Sequence, residues 1–104
     1  MKLIKPDIRP SELAYAQECA RRAQELFPHL GVTIRWLDDE REFLLEVSDW
    51  TIVEQGLLTP LYKKFREELK TAGKPFDVVF TGPDDWMLQI QEPIGYLPPL
   101  AMAA

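Results

Sequence analysis

The sequence contains very few of the residues that disulfide and histidine–metal chemistry require. Its 104 residues include one cysteine and one histidine. A single cysteine cannot form an internal disulfide, so the fold needs no oxidising compartment, and we expect the reducing cytoplasm. His29 has no second histidine and no C-x-x-C pair with which to share a metal, which argues against a histidine-based zinc site. Cys19 lies beside a stripe of alanines and is expected to be a small, inert hydrophobe.

Glycine and long apolar runs are also scarce, and their scarcity excludes several classes of protein. The five glycines are scattered, so they cannot form the glycine-rich loops that hold phosphates or dinucleotides. The G-x-S-x-G pattern of serine hydrolases is absent. No stretch approaches the ~18 apolar residues of a transmembrane helix, and prolines interrupt the N-terminus before a signal-peptide core could form. We therefore expect no membrane insertion and no cofactor.

Positive charge is in deficit. Twelve Lys and Arg residues against seventeen Asp and Glu give a net charge of −5 and a pI near 4.8. The densest basic groups, Arg21-Arg22 and Lys63-Lys64 with Arg66, are each followed by glutamates, a pattern typical of a solvated helix face with intrahelical ion pairs. This balance disfavours nucleic-acid binding. It would instead steer a basic protein partner toward the chain.

The composition is that of one globular domain followed by a short tail. Hydrophobic residues make up 46% of the chain and charged residues 28%, as in ordinary globular domains of this length. We predict a single α+β domain over residues 1–92 and a proline-rich, extended C-terminal arm over residues 93–104. The arm is expected either to cover the sheet of its own chain or to reach another subunit.

Two segments carry apolar residues at helical spacing. The first follows Ser11, a good N-cap, and its inward stripe is Leu13, Ala16, Ala20, Ala23 and Phe27. The second is predicted from about residue 60 to 72, after a short helical turn near 52–58, and its stripe is Leu61, Phe65 and Leu69. Both helices are therefore amphipathic and need a partner layer.

Four segments alternate apolar and polar residues with the period of a strand. Residues 32–37 and 42–48 flank a short charged turn, and residues 76–81 and 86–91 flank another, so we predict two antiparallel hairpins. The elements then run α-β-β-α-β-β, and the expected architecture is a two-layer α+β sandwich, a four-stranded, mostly antiparallel sheet with two helices on one face. A ferredoxin-like β-α-β-β-α-β order is the close alternative if residues 2–8 pair into the sheet.

The helix and hairpin recur in the same order in both halves of the chain. A tandem duplication would produce such a pseudo-repeat, and so would two independent hairpins that each follow a helix. Either origin predicts the same architecture.

The carboxylates of the two predicted turns are the candidate metal ligands. Asp38 and Asp39 occupy one turn, and Asp84 and Asp85 occupy the other. If both turns project from the same end of the sheet, their oxygens suit Mg²⁺ or Mn²⁺. Aspartate is also one of the commonest turn residues, because its side chain bonds its own backbone.

The outer face of the predicted sheet is more apolar than a fully hydrated face requires. By strand parity this face carries Leu37, Leu44, Val79 and Met87, and the tail adds Tyr96 and Leu97. Exposed apolar patches commonly mark protein contacts. We therefore predict an interaction face made of these six residues, and we expect Leu44→Lys to weaken assembly while sparing the fold.

Taken together, the residues favour a small, acidic, non-enzymatic interaction or regulatory module that binds a protein partner or self-associates, with a homodimer as one form. Two alternatives stay open. One is a divalent-metal-dependent enzyme that acts on phosphoryl or nucleotide substrates through the turn carboxylates. The other is a sensor domain for a small ligand.

Overall fold

The computed structural model describes residues 8–38, 40–83 and 92–102. The helices are α1 (Pro10–Leu26), α2 (Trp50–Glu54) and α3 (Thr59–Thr71). The strands are β1 (Val32–Leu37), β2 (Glu42–Val47), β3 (Asp77–Thr81) and β4 (Pro93–Leu97), and a 3₁₀ turn follows at Leu100–Met102.

The two long helices begin at prolines and bury the predicted stripes. Pro10 occupies the first turn of α1, where its missing N–H costs nothing. The Glu12 carboxylate accepts a hydrogen bond from the Arg9 backbone N–H at 3.1 Å, so Arg9 rather than the predicted Ser11 is the N-cap. Phe65 and Leu69 are the buried residues of α3. Tyr15 of α1 meets the Phe65 ring edge-on, with the ring centres 6.4 Å apart, which joins the two helices into one layer.

The first predicted hairpin is confirmed. β1 and β2 pair antiparallel in a register that runs from Val32 opposite Val47 to Leu37 opposite Glu42. Val32, Ile34, Phe43, Leu45 and Val47 are fully buried on the side of the helices. The alternation therefore sets both the pairing and the inward face of this hairpin.

The rest of the sheet is arranged differently from the prediction. Its order is β3-β2-β1-β4, and β3 pairs parallel with β2. The chain between them passes through α2 and α3, as parallel neighbours require. Residues 86–91, the predicted partner of 76–81 and the last strand of the pseudo-repeat, lie outside the described residues. Because β2 and β3 are hydrogen-bonded directly to each other, no strand lies between them, whereas a ferredoxin-like order would insert the N-terminal strand there.

The start of the tail, predicted as an extended arm, is a strand of this sheet. Pro93–Leu97 pairs antiparallel with β1, with a bulge between Ile34 and Arg35. Proline is tolerated here because Pro93 is the first residue of an outermost strand of the described sheet. Residues 93–97 therefore pack against their own chain.

The predicted fold class is confirmed: the chain is an α+β fold consistent with a two-layer sandwich, with a mixed four-stranded sheet. The main core lies between the helices and the inner sheet face and is built from Ala16, Cys19, Ala20, Ala23, Leu30, Val32, Ile34, Trp36, Phe43, Leu45, Val47, Ile52, Leu58, Phe65, Leu69, Phe76 and Val78. A smaller cluster of Leu37, Leu44 and Val79 lies on the opposite face.

Candidate functional site

The structure brings together part of the predicted interaction face. Leu37 and Leu44 form the outer-face cluster with Val79, but they are only 7% and 5% exposed. The outer-face cluster therefore offers little free apolar surface, and Leu44→Lys is expected to destabilise the fold rather than spare it. Leu97 packs against the main core on the other face. Met87 lies outside the described residues.

Of the predicted contact residues that the structure describes, Tyr96 is the most exposed. It lies opposite Thr33 on the outer face of the sheet and is 61% exposed. Its hydroxyl oxygen lies 2.9 Å from the position that a Cβ on Gly31 would occupy, so a side chain there would push the tyrosine away. Gly31 thus permits the ring to lie close to the start of β1.

The candidate metal ligands are not assembled in the part of the chain that the structure describes. Asp39, Asp84 and Asp85 lie outside it. Asp38 is exposed, and its Oδ1 accepts a hydrogen bond from the Trp36 indole N–H at 3.1 Å. Among residues 8–38, 40–83 and 92–102 there is no group of three or more His, Cys, Asp or Glu side chains that could hold a metal ion.

The histidine and the cysteine each have a structural role. His29 Nε2 lies 3.0 Å from Asp49 Oδ2, and Asp49 Oδ1 accepts from the Thr51 N–H at the start of α2. The hydrogen bond from His29 lowers the pKa of Asp49. Cys19 is fully buried, and burial raises its thiol pKa to about 12. The thiol therefore stays protonated and shielded at neutral pH.

A polar network joins α1 to α3. The Tyr15 hydroxyl donates to Glu68 Oε1 at 3.0 Å, and Arg22 Nη1 lies 3.1 Å from Glu68 Oε2 and 3.2 Å from Oε1. Although partial burial acts in the opposite direction, the hydrogen bonds from Tyr15 and Arg22 lower the pKa of Glu68. Burial raises the pKa of Tyr15. Because these three side chains bond to one another, the network links α1 to α3.

Exposed apolar side chains collect at one end of the sheet. β1 begins there, and β2, β3 and β4 end there, because β1 runs antiparallel to β2 and β4 while β3 follows β2. The large hydrophobic residues that are exposed among the described ones are Leu26 (58%), Trp50 (39%), Leu57 (45%), Tyr96 (61%) and Leu100 (44%). All five lie on elements that end, begin or connect at this end, which we call the apolar end. Of these five residues, Tyr96 belongs to the interaction face predicted from the sequence.

Gln24 anchors the C-terminal segment to the apolar end. Its side chain is 1% exposed, and Nε2 donates to the carbonyl oxygens of Leu30 (3.0 Å), Leu97 (3.1 Å) and Pro98 (2.9 Å). The Ala101 N–H adds a bond to the Pro28 carbonyl at 3.0 Å. Sequence reasoning missed this contact. The sequence feature that indicates it is a polar residue, Gln24, next to Ala23 of the alanine stripe. A polar side chain that is buried at such a position requires hydrogen-bond partners.

The opposite end of the sheet, which we call the charged end, carries two adjoining clefts. The first, of about 310 Å³, is lined by Arg9, Ser11, Glu12, Arg41, Ala72, Gly73, Lys74 and Pro75. The second, of about 590 Å³, continues past Arg41 and Lys74 to Arg66 and Lys70, with Glu40, Glu67 and Asp77 among its lining residues. We call the first of these the basic cleft.

Comparison with protein-family models, curated proteins and solved structures finds no match. Within the described ranges, no helix combines the length and apolar character needed to cross a membrane. The functional argument therefore depends on the surface of this chain alone.

Proposed function

We propose that the protein is a non-enzymatic interaction module that binds a partner protein through its apolar end. The observation that carries the proposal is the collection of all five exposed large hydrophobic side chains of the described residues at this one end. Exposed apolar surface on a monomeric protein commonly marks a binding site. Aromatic residues such as Trp50 and Tyr96 are also enriched at protein contacts, because they bury large areas at low entropic cost. The reducing cytoplasm expected from the single cysteine stays part of the proposal.

The charges around the apolar end favour a basic partner. The last turn of α1 carries Glu25 and no basic residue, so its charge adds to the negative end of the helix dipole. Glu54 is exposed on α2, and Asp49 is partly exposed beside it. An acidic rim around apolar side chains attracts a partner with basic rim residues and speeds its association. Two copies of this chain would instead bring acidic rims together.

A photo-crosslinking experiment tests which end makes contact in cells. A photoreactive phenylalanine analogue replaces Tyr96 at the apolar end in one variant and Glu67 at the charged end in another. We expect one dominant adduct from position 96 and much less from position 67. Adding Leu100→Lys to the position-96 variant should remove that adduct, because a buried lysine opposes an apolar contact. Equal yields from the two positions, or no adduct from position 96, would contradict the proposal.

Two further measurements separate binding from folding and a foreign partner from a second copy. We expect Tyr96→Lys to lose the partner with little change in thermal stability, since this side chain is already largely exposed. Leu44→Lys should instead lower stability, because residue 44 is buried. Sedimentation velocity at micromolar concentration should show a monomer. A dimer that Tyr96→Lys dissociates would identify a second copy of this chain as the partner.

A further inference from the structure

The basic cleft concentrates positive charge in a protein whose net charge is −5. Arg9, Arg41 and Lys74 line it, and Glu12 is its one acidic lining residue. Glu12 is 8% exposed, and its carboxylate accepts a hydrogen bond from the Arg9 backbone. In the described part of the chain, none of these three cations forms an ion pair. Three cations and one carboxylate therefore line the cleft.

Arg41 is held in place before any ligand arrives. Its backbone is left-handed, with φ 49°, which is uncommon for a residue other than glycine. The Arg41 guanidinium lies 5.4 Å from the centre of the Trp36 ring, and its Nε donates to the Pro75 carbonyl oxygen at 3.3 Å. The Arg41 carbonyl accepts from the Asp77 N–H at 3.0 Å. A guanidinium restrained in this way loses less freedom when it binds an anion.

Lys74 is brought to the cleft by the end of α3. The Lys74 N–H bonds the Leu69 carbonyl at 3.0 Å, and the Gly73 N–H bonds the Lys70 carbonyl at 3.1 Å, the two bonds of a Schellman motif. Gly73 has φ 66°, the left-handed conformation that this motif requires. The chain therefore turns sharply at Gly73 and enters the wall of the cleft.

Charges of both signs surround the basic cleft, and the carboxylates include Glu12 in the first turn of α1. The N-terminus of α1 contributes the positive end of a helix dipole on the same side as Arg9. Of the carboxylates in the neighbouring cleft, Asp77 lies 3.8 Å from Arg66 in an ion pair. Glu40 and Glu67 are exposed to solvent, as are the three cations of the cleft, so solvent screens charges of both signs. Lys70, in the last turn of α3, offsets the negative end of that helix.

We propose that the basic cleft binds the phosphate group of a small molecule. Arg41 supplies a planar guanidinium suited to a tetrahedral oxyanion, and Arg9 and Lys74 supply further cations on the other walls. A volume of about 310 Å³ admits a phosphate with a small attached group. This ligand site is separate from the apolar end, so the proposal goes beyond the interaction function.

Amide NMR on the full chain tests the proposal, with inorganic phosphate and pyrophosphate as the probes and sodium chloride at matched ionic strength as the reference. We expect saturable shift changes confined to the amides around Arg9, Arg41 and Lys74, with pyrophosphate the tighter of the two. Lys74→Gln should weaken pyrophosphate binding by about ten-fold, the effect of losing one charge-assisted contact. Arg9→Gln should have a similar effect.

Arg21→Gln is the matched control, because it removes the same charge from the exposed face of α1. It should leave the dissociation constant unchanged. Shifts that grow linearly without saturation, or that chloride reproduces, would overturn the proposal. Equal weakening by Arg21→Gln and Lys74→Gln would overturn it as well, since the protein would then respond only to net charge.

Discussion

The two ends of one small sheet carry opposite surface chemistry. Hydrophobic side chains such as Tyr96 and Leu26 are exposed at the apolar end, whereas Arg9, Arg41 and Lys74 line the basic cleft at the charged end. The same strands run from one end to the other, and their inward-facing side chains pack into one core. The difference lies in the segments that enter and leave the strands, because these segments are free of the packing constraints of the core.

The two ends of α1 differ as well. The helix begins beside Arg9 at the charged end and finishes with Glu25 at the apolar end. At the apolar end the charge of Glu25 has the same sign as the helix dipole, whereas at the charged end the first turn carries Glu12, whose charge opposes the dipole. The comparison teaches that a side-chain charge in the first turn of α1 stabilises the helix, whereas the last turn lacks such a charge.

The largest expected effect on stability concerns the anchoring of the apolar end. Gln24→Ala should lower the free energy of unfolding by about 2 kcal/mol, because it leaves buried carbonyl groups without their donor. Amide exchange in β4 should become faster than in the β1–β2 hairpin. Urea denaturation and hydrogen exchange measure the two effects. Gln17→Ala, at an exposed position of the same helix, should change neither.

A smaller effect on stability is expected when one glycine from each end is replaced. Gly73 at the charged end has φ 66°, and Gly56, near the apolar end, has φ 70°. Alanine at either position should cost about 1 kcal/mol, since L-residues are disfavoured in the left-handed region. No atom lies within 4 Å of a Cβ at Gly73, whereas Thr59 Oγ1 lies 3.4 Å from one at Gly56. Thermal denaturation should therefore show similar losses, and a loss at Gly73 several times larger would contradict a purely backbone origin.

The smallest expected effect on stability depends on pH and concerns Glu68, in the polar network that joins α1 to α3. The pKa of Glu68 is lower in the folded chain than its ordinary value of 4.5. Ionised Glu68 therefore contributes stability above pH 4.5, and this contribution is lost as the pH falls through the folded-state pKa. The Tm difference between wild type and Glu68→Gln should be largest near neutral pH and should shrink in acid. Glu67→Gln, at the exposed neighbouring position, should show no such trend, and a constant difference for Glu68→Gln would refute the assignment.

Local patterns predicted much of the fold but little of the site. The alternation from Val32 to Val47 was sufficient for the first hairpin, because a strand's inward face follows from its own residues. It did not reveal that β3 lies parallel to β2, nor that Pro93–Leu97 joins β1. The prolines of residues 93–104 favoured the prediction of an extended arm, but an outermost strand tolerates a proline at its first position. Of the predicted contact residues, Tyr96 proved exposed, whereas Leu44 proved buried.

The sequence by itself determined where the two long helices and the strands β1 to β3 form and which side of each faces inward, since both depend on apolar spacing within short windows. Only the tertiary structure decided which strands are neighbours and which distant groups meet. Gln24 reaches the Leu97 carbonyl across 73 positions of the chain, and Tyr15 reaches Glu68 across 53. Such contacts depend on how the whole core packs, because closing a long stretch of chain costs entropy that only the combined burial of many side chains can offset.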